Sequence, residues 1–179
     1  MKNIILLISL FTFILGGCKE SPNKDIAAKE RDSKDSTIQK HLSIERRNIQ
    51  IVRSSLEAYN AQDVDGFLKD ASNDMIDGDP EHPAKGKDSI RKGYVQGFAT
   101  IANQKGEDLK YFADSDIVIV WGKWRGTWVK STTAEKATGK SFLIDDVDVF
   151  KLSEDGKILA HFPTQNGIEQ ALQLGHKLK

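Results

Sequence analysis

Between Phe142 and Gly175 lies the stretch that most narrows what this chain can fold into, FLIDDVDVFKLSEDGKILAHFPTQNGIEQALQLG. Phe142, Ile144, Asp146, Asp148 and Phe150 alternate with Leu143, Asp145, Val147 and Val149, which is the period of a strand. Asp155-Gly156 is the dipeptide chemistry that closes a tight hairpin. Ile158, Ala160 and Phe162 then alternate with Leu159, His161 and Pro163, and a short helix is predicted after them. A long hairpin therefore closes whatever precedes it. One face of its first strand sets two carboxylates among large apolar side chains. Parity gives the alternation and leaves open which face is inside.

What precedes the hairpin is helical first and extended afterwards. Leu42, Ile49, Val52, Leu56 and Tyr59 recur at helical spacing, which predicts an amphipathic helix of about four to five turns from His41. Asn60 to Asp63 ends it, and Asp63 is placed to cap a short second helix carrying Val64, Phe67, Leu68 and Ala71. Met75 and Ile76 suggest a brief strand, while Asp77-Gly78-Asp79-Pro80-Glu81-His82-Pro83 reads as a solvated turn. The acids of that turn do not fall in the register of a calcium loop. Asp88 or Ser89 is expected to cap a third helix with Ile90, Tyr94 and Phe98 facing inward. Gly93 and Gly97 weaken that helix and would admit the close approach of another element.

From Asn103 the period drops towards two. Asn103 to Gly106 reads as a connection, Leu109 to Ala113 as a strand, and Ile117 to Lys130 as a long strand. Trp124 and Trp128 share a parity with Gly122 and Gly126, whereas Trp121 has the opposite one. Trp121 either faces the second side of the sheet or marks a bulge near Gly122. Glycines between large aromatics let a sheet curve sharply. Helices followed by strands define an α+β class with a curved antiparallel sheet.

The amino terminus carries a different signal. Lys2 precedes an apolar run from Ile4 to Leu15. Roughly 12 apolar residues are too few for a hydrocarbon core that needs about 20, and they match the apolar region of a signal peptide. The run ends in Leu15-Gly16-Gly17-Cys18, which resembles the lipobox of bacterial lipoproteins, where the cysteine is lipidated and becomes the new amino terminus. The expected organisation is a signal peptide over 1–17, a lipidated Cys18 with a charged, flexible tether to residue 40, and one domain over 41–179. Such a tether holds the domain roughly 25 Å from the bilayer. The protein is thus expected in a bacterial envelope, facing the periplasm or the cell surface.

The order of elements and the residues Tyr59, Gly86, Asp155-Gly156-Lys157-Ile158, Phe162 and Gln173-Leu174-Gly175 resemble the nuclear-transport-factor-2-like superfamily, in particular its SnoaL-like branch. The resemblance covers about residues 41 to 175. It implies a cone-shaped roll, with three N-terminal helices packed on a strongly curved antiparallel sheet. It also implies a pocket at the open end and frequent homodimers through the outer sheet face. In enzymes of this branch a carboxylate with His, Tyr or Asp partners performs cofactor-free acid/base chemistry on enolisable molecules. Burial raises a carboxylate's pKa and makes it a usable base near neutrality. The branch commonly has an Asp a few residues past the DGKI strand, and this chain has Asn166 there. An amide is no base at neutral pH.

Candidate catalytic groups are therefore Asp146, Asp148 and His161, with Tyr59, Tyr94, Phe98, Trp124, Trp128, Phe162 and Asn166 as candidate ligand contacts. Each has an ordinary alternative: a solvent-facing acidic strand face, a hydrogen-bonded sheet histidine, or aromatic packing. His41, His82, His161 and His176 show no metal-ligand spacing, and Cys18 is the only cysteine, so no metal is expected. No phosphate-cradling loop or dinucleotide fingerprint is present, and no cofactor is expected. The 26 basic and 26 acidic residues form no basic stripe, so nucleic acid is not expected as a partner. On sequence alone the stretch argues better for a pocket that binds a small apolar ligand than for a reaction. A cofactor-free isomerase, cyclase or hydratase is the alternative, and a homodimeric assembly domain the third reading.

Overall fold

In the computed structural model, β4 (Ile117–Trp128) and β5 (Ser141–Leu152) pair without a break from Ile117↔Lys151 to Thr127↔Ser141. Residues 22–78, 82–133, 135–164 and 167–176 are described. The chain divides into two compact units, Met1–Ile38 and Gln39–Lys179. The elements are α1 (Pro22–Asn60), α2 (Val64–Phe67), β1 (Ala71–Asp77), β2 (Ala84–Lys85), α3 (Lys87–Thr100), β3 (Ile101–Asp114), β4, β5, β6 (Ile158–Pro163) and α4 (Gly167–Leu174).

The charged segment expected as a flexible coil is helical from Pro22, and its residues from Lys29 to Leu42 are exposed. Proline suits a first helical position, and Glu30/Lys34 and Arg31/Asp35 stand one helical turn apart. Leu42, expected on the apolar stripe, is 41% exposed. Among the described residues no helix is long and apolar enough to cross a membrane. Cys18 and the apolar run before it lie outside the described residues.

Within the second unit the six strands form one open, curved sheet in the order β2-β1-β6-β5-β4-β3. One pair departs from the expected antiparallel pattern: β1 runs parallel to β6, with Asp77 opposite His161. Val52 and Leu56 of α1, Phe67, and Ile90 of α3 pack with Val120 and Phe150 of the sheet in one buried core. Asp63 caps α2 as expected, its carboxylate accepting from Gly66 N at 2.9 Å. Helix α3 instead begins one or two residues before the expected caps. Gly86, at φ +83°, turns the chain into it and donates its N–H to Met75 O at 2.8 Å.

The expected connection at 103–106 is part of β3, which absorbs two bulges and puts Asn103 and Asp108 at φ 55°. Bulges leave ladder groups unpaired. Here the Asn60 amide holds the backbone between them, donating to Gly106 O at 2.9 Å and accepting from Gly106 N at 2.8 Å. The bulges let β3 fold over β4 where β4 has no side chain. A Cβ on Gly122 would stand 2.5 Å from Leu109 Cδ2 and 2.8 Å from the backbone oxygen of Glu107. Trp121 takes the opposite face, 46% exposed, with Lys110 Nζ 4.6 Å above its ring. Gly93 and Gly97 admit no close neighbour, contrary to expectation: a Cβ at either has nothing within 4 Å, and both line a cavity.

Gly122→Ala should therefore cost roughly 1–3 kcal/mol in urea unfolding, the range for overpacking against a backbone that cannot yield. Gly93→Ala should leave stability unchanged or slightly raised. Equal losses from the two substitutions would contradict this account of the bend.

Candidate active site

Strand β5 turns Phe142, Ile144, Asp146, Asp148 and Phe150 inward, which settles the orientation that parity left open. Asp146 and Asp148 are 6% and 3% exposed. Opposite Phe150 on β6 stands His161, 5% exposed, and opposite His161 on β1 stands Asp77, 7% exposed. These four ionisable groups line a cavity of about 310 Å³, the lower end of the usual range for ligand sites. The rest of the wall is largely apolar: Leu56, Tyr59, Phe67, Ile90, Tyr94, Trp124, Phe142 and Ile144 contribute to it. The rings of Tyr59, Phe67, Tyr94 and Trp124 meet edge-on or tilted, with centroids 4.6–6.0 Å apart.

His161 is the hub. Its Nδ1–H donates to Asp77 Oδ1 at 2.8 Å, and its ring stacks on Phe150 at 4.4 Å. The Tyr94 hydroxyl lies 3.4 Å from the same nitrogen. On the other side, Nε2 lies 3.6 Å from Asp148 Oδ2. That is longer than a hydrogen bond, so Asp148 acts on the ring through its charge, and Nε2 is buried with no hydrogen-bond partner. Burial alone would lower the imidazole pKa, but the Asp148 and Asp77 carboxylates outweigh it and raise it to about 10. At neutral pH His161 is an imidazolium: it holds a proton and is not a base.

Asp146 differs from the other two carboxylates. Its Oδ1 accepts from Val147 N at 2.8 Å and from Thr164 Oγ1 at 3.0 Å. Burial pushes its carboxyl above the ordinary value and the charge of Asp148 adds to that, against the pull of those bonds and of His161. Burial and the charges of Asp77 and Asp148 push the Tyr59 and Tyr94 phenols up, so both stay protonated. Tyr59 donates to Gln104 Oε1 at 2.7 Å. Among the described residues no group of three or more His, Cys, Asp or Glu side chains is disposed to hold a metal ion.

Of the residues expected from sequence, Asp146, Asp148, His161, Tyr59, Tyr94 and Trp124 meet in this wall. Phe98 stands behind it, its ring 5.1 Å from Tyr59 and 6.2 Å from Tyr94. Two expectations are corrected. Trp128 packs in a second core with Phe142, Ile144 and Leu174, stacks on His176 at 4.9 Å and donates Nε1–H to Lys130 O. Phe162 pairs with Val149 on the opposite face of the sheet, because its parity is that of Val149 and not of His161. Asn166 lies outside the described residues. Asp77 was missed: its surroundings are turn residues, and the only signal was that it shares the parity of the buried Met75 on a brief strand.

The profile of the SnoaL-like domain matches residues 52–161, and the chain belongs to that family. Solved structures bear out the fold. A candidate polyketide cyclase from Xanthomonas campestris pv. campestris superposes with a TM-score of 0.68 at 16% identity, covering 73% of this chain and 98% of that one. A candidate hydroxylase from Streptomyces galilaeus gives 0.64 at 18% identity, covering 73% and 97%. A nuclear-transport-factor-2-like protein of unknown function from Burkholderia pseudomallei gives 0.61 at 20% identity, covering 72% and 98%. No curated protein sequence matches the chain significantly. The expected cone of helices on a curved sheet is thus the fold of the domain.

The charge on His161 carries a stability signature. Its folded pKa, about 10, lies above the ordinary 6.5, so its contribution is whole below pH 6.5 and is lost as pH rises through about 10. The wild-type Tm should fall across pH 7 to 10 more steeply than that of His161→Gln, which cannot hold the charge. Parallel curves would contradict a buried imidazolium.

Proposed function

We propose that the cavity takes a small, largely apolar carbonyl compound and performs cofactor-free acid/base chemistry on it, as an isomerase, cyclase or hydratase. The observation that carries this reading is the set of three carboxylates around one imidazolium inside an aromatic wall. A site that only held an apolar molecule would gain nothing from buried charges that are costly to desolvate. Asp146, with its raised pKa, takes a proton from the carbon beside the carbonyl. The electron pair moves onto the carbonyl oxygen, where the His161 cation stabilises the enolate. Asp146 then returns the proton to carbon or oxygen. Trp124 Nε1 is a buried N–H with no hydrogen-bond partner, and His161 Nε2 has only the longer approach of Asp148 at 3.6 Å, which suits a ligand with an oxygen to offer. Binding without turnover is the second reading, favoured by Asn166 where the branch carries Asp.

Deuterium exchange at the α-carbon of a panel of cyclic ketones and aminoketones, followed by NMR, tests this. Exchange should rise with pH through the elevated Asp146 pKa and fall as His161 deprotonates near 10. Asp146→Asn should lower it roughly 10²–10⁴-fold. Exchange at the background rate, or unchanged in folded Asp146→Asn, would leave the binding reading.

The envelope placement is also proposed, supported by the lipobox-like sequence ending at Cys18. For the outer sheet face we propose a second copy of the chain, supported by the exposure of Phe112, Ile119, Trp121 and Leu143 there. Cys18→Ser should move the protein from the membrane to the soluble fraction, where light scattering should give twice the chain mass. A variant that stays membrane-bound would contradict the anchor, and a monomer the dimer.

A further inference from the structure

The walls of the cavity do not balance in charge. Asp77, Asp146 and Asp148 supply three carboxylates, each more than nine-tenths buried, and His161 supplies one cation. The one other basic residue among the described lining groups is Arg125, whose side chain is 44% exposed and pairs at 3.4 Å with Glu107, which also holds Lys105 at 3.0 Å. Counting the Arg125 charge in full would still leave the walls one charge negative. A proton on Asp146 would remove one excess charge and still leave the walls without a net cation. The Tyr59 and Tyr94 phenols register the same field, since the Asp77 and Asp148 charges push both up beyond the effect of burial. Such walls oppose an anionic ligand, because desolvated like charges repel strongly.

The rest of the wall points the same way. Tyr59, Phe67, Tyr94 and Trp124 line the same cavity as the three carboxylates. Aromatic faces beside carboxylates are how proteins hold ammonium groups. On β5, Asp146 stands two residues from Asp148, about 7 Å along the strand, and its hydrogen-bond donors are Val147 and Thr164, with no cation among them.

We propose that the molecule this cavity takes is cationic, carrying a protonated or quaternary amine beside its carbonyl oxygen. The carbonyl part rests on the acid/base reading above; the cation part rests on the wall charges alone. The amine faces Asp146 and the aromatic rings, and the oxygen faces the His161 side. An ammonium next to the reacting carbon also acidifies its C–H, which eases proton transfer to a carboxylate.

The test uses three probes of nearly one shape on the full-length chain, by calorimetry at pH 8: choline, 3,3-dimethylbutan-1-ol and 3,3-dimethylbutanoate. Choline should bind at least tenfold tighter than the neutral alcohol, with the anion weakest. The preference should shrink in Asp146→Asn, or in Asp148→Asn if the first does not fold, though the wild-type comparison decides by itself. A preference below tenfold, a preference for the alcohol or the anion, or no binding of any probe overturns the proposal. Exchange catalysed on neutral ketones as fast as on aminoketones would sink this inference and keep the acid/base reading. Tight choline binding with no exchange on any aminoketone would do the reverse.

Discussion

Charge buried in an apolar wall is tolerable only with an opposite charge beside it, and that condition governs where three strands of this domain meet. The Nδ1–Asp77 bond ties β6 to β1, and the approach of Nε2 to Asp148 ties β6 to β5. The first tie matters most, because β1 and β6 pair in parallel and their register is broken by an irregularity between Ala71 and Ile76. Removing one partner of such a set leaves a buried charge unbalanced, at a cost of about 3–5 kcal/mol. Stability and chemistry therefore draw on the same side chains. The imidazolium that holds the strand ends together is also the cation available to a developing enolate.

The space in front of that cation has its own cause. The sheet bends because β3 lies over Gly122 and Gly126 of β4, where Leu109 and Ile101 occupy the room a side chain would take. Asn60 at the end of α1 pins the bulged backbone of β3, so the bend is fixed to the helical layer. Opposite, Gly93 and Gly97 keep the inner face of α3 low. Curvature on one side and missing side chains on the other leave a void lined by rings, with the four ionisable groups grouped on β1, β5 and β6.

Much of this was legible in the sequence. The alternation on β5, the turn at Asp155-Gly156 and the split parity of the tryptophans all follow from a period of two, and each stands in the structure. The direction of β5 was not legible, because both of its faces mix aspartates with large apolar residues. The partnership of Asp77 with His161 joins residues 84 positions apart and depends on a parallel pairing that no local signal announces. Asp77 also sits in a run of turn residues, whose composition describes the loop after it and hides the strand end it belongs to. Asn103 to Gly106 misled for a related reason: Asn and Gly suit a bulge as well as a loop, since both tolerate left-handed backbone. Trp128 and Phe162 were placed by residue type, and it is register that puts them elsewhere.

The strand junction and the chemistry both depend on a His161 cation at neutral pH, and the ¹⁵N shifts of its imidazole read that charge. At pH 8 both ring nitrogens should carry protons, and they should titrate together near pH 10. A single neutral tautomer at pH 8, with one nitrogen bare, would contradict the account.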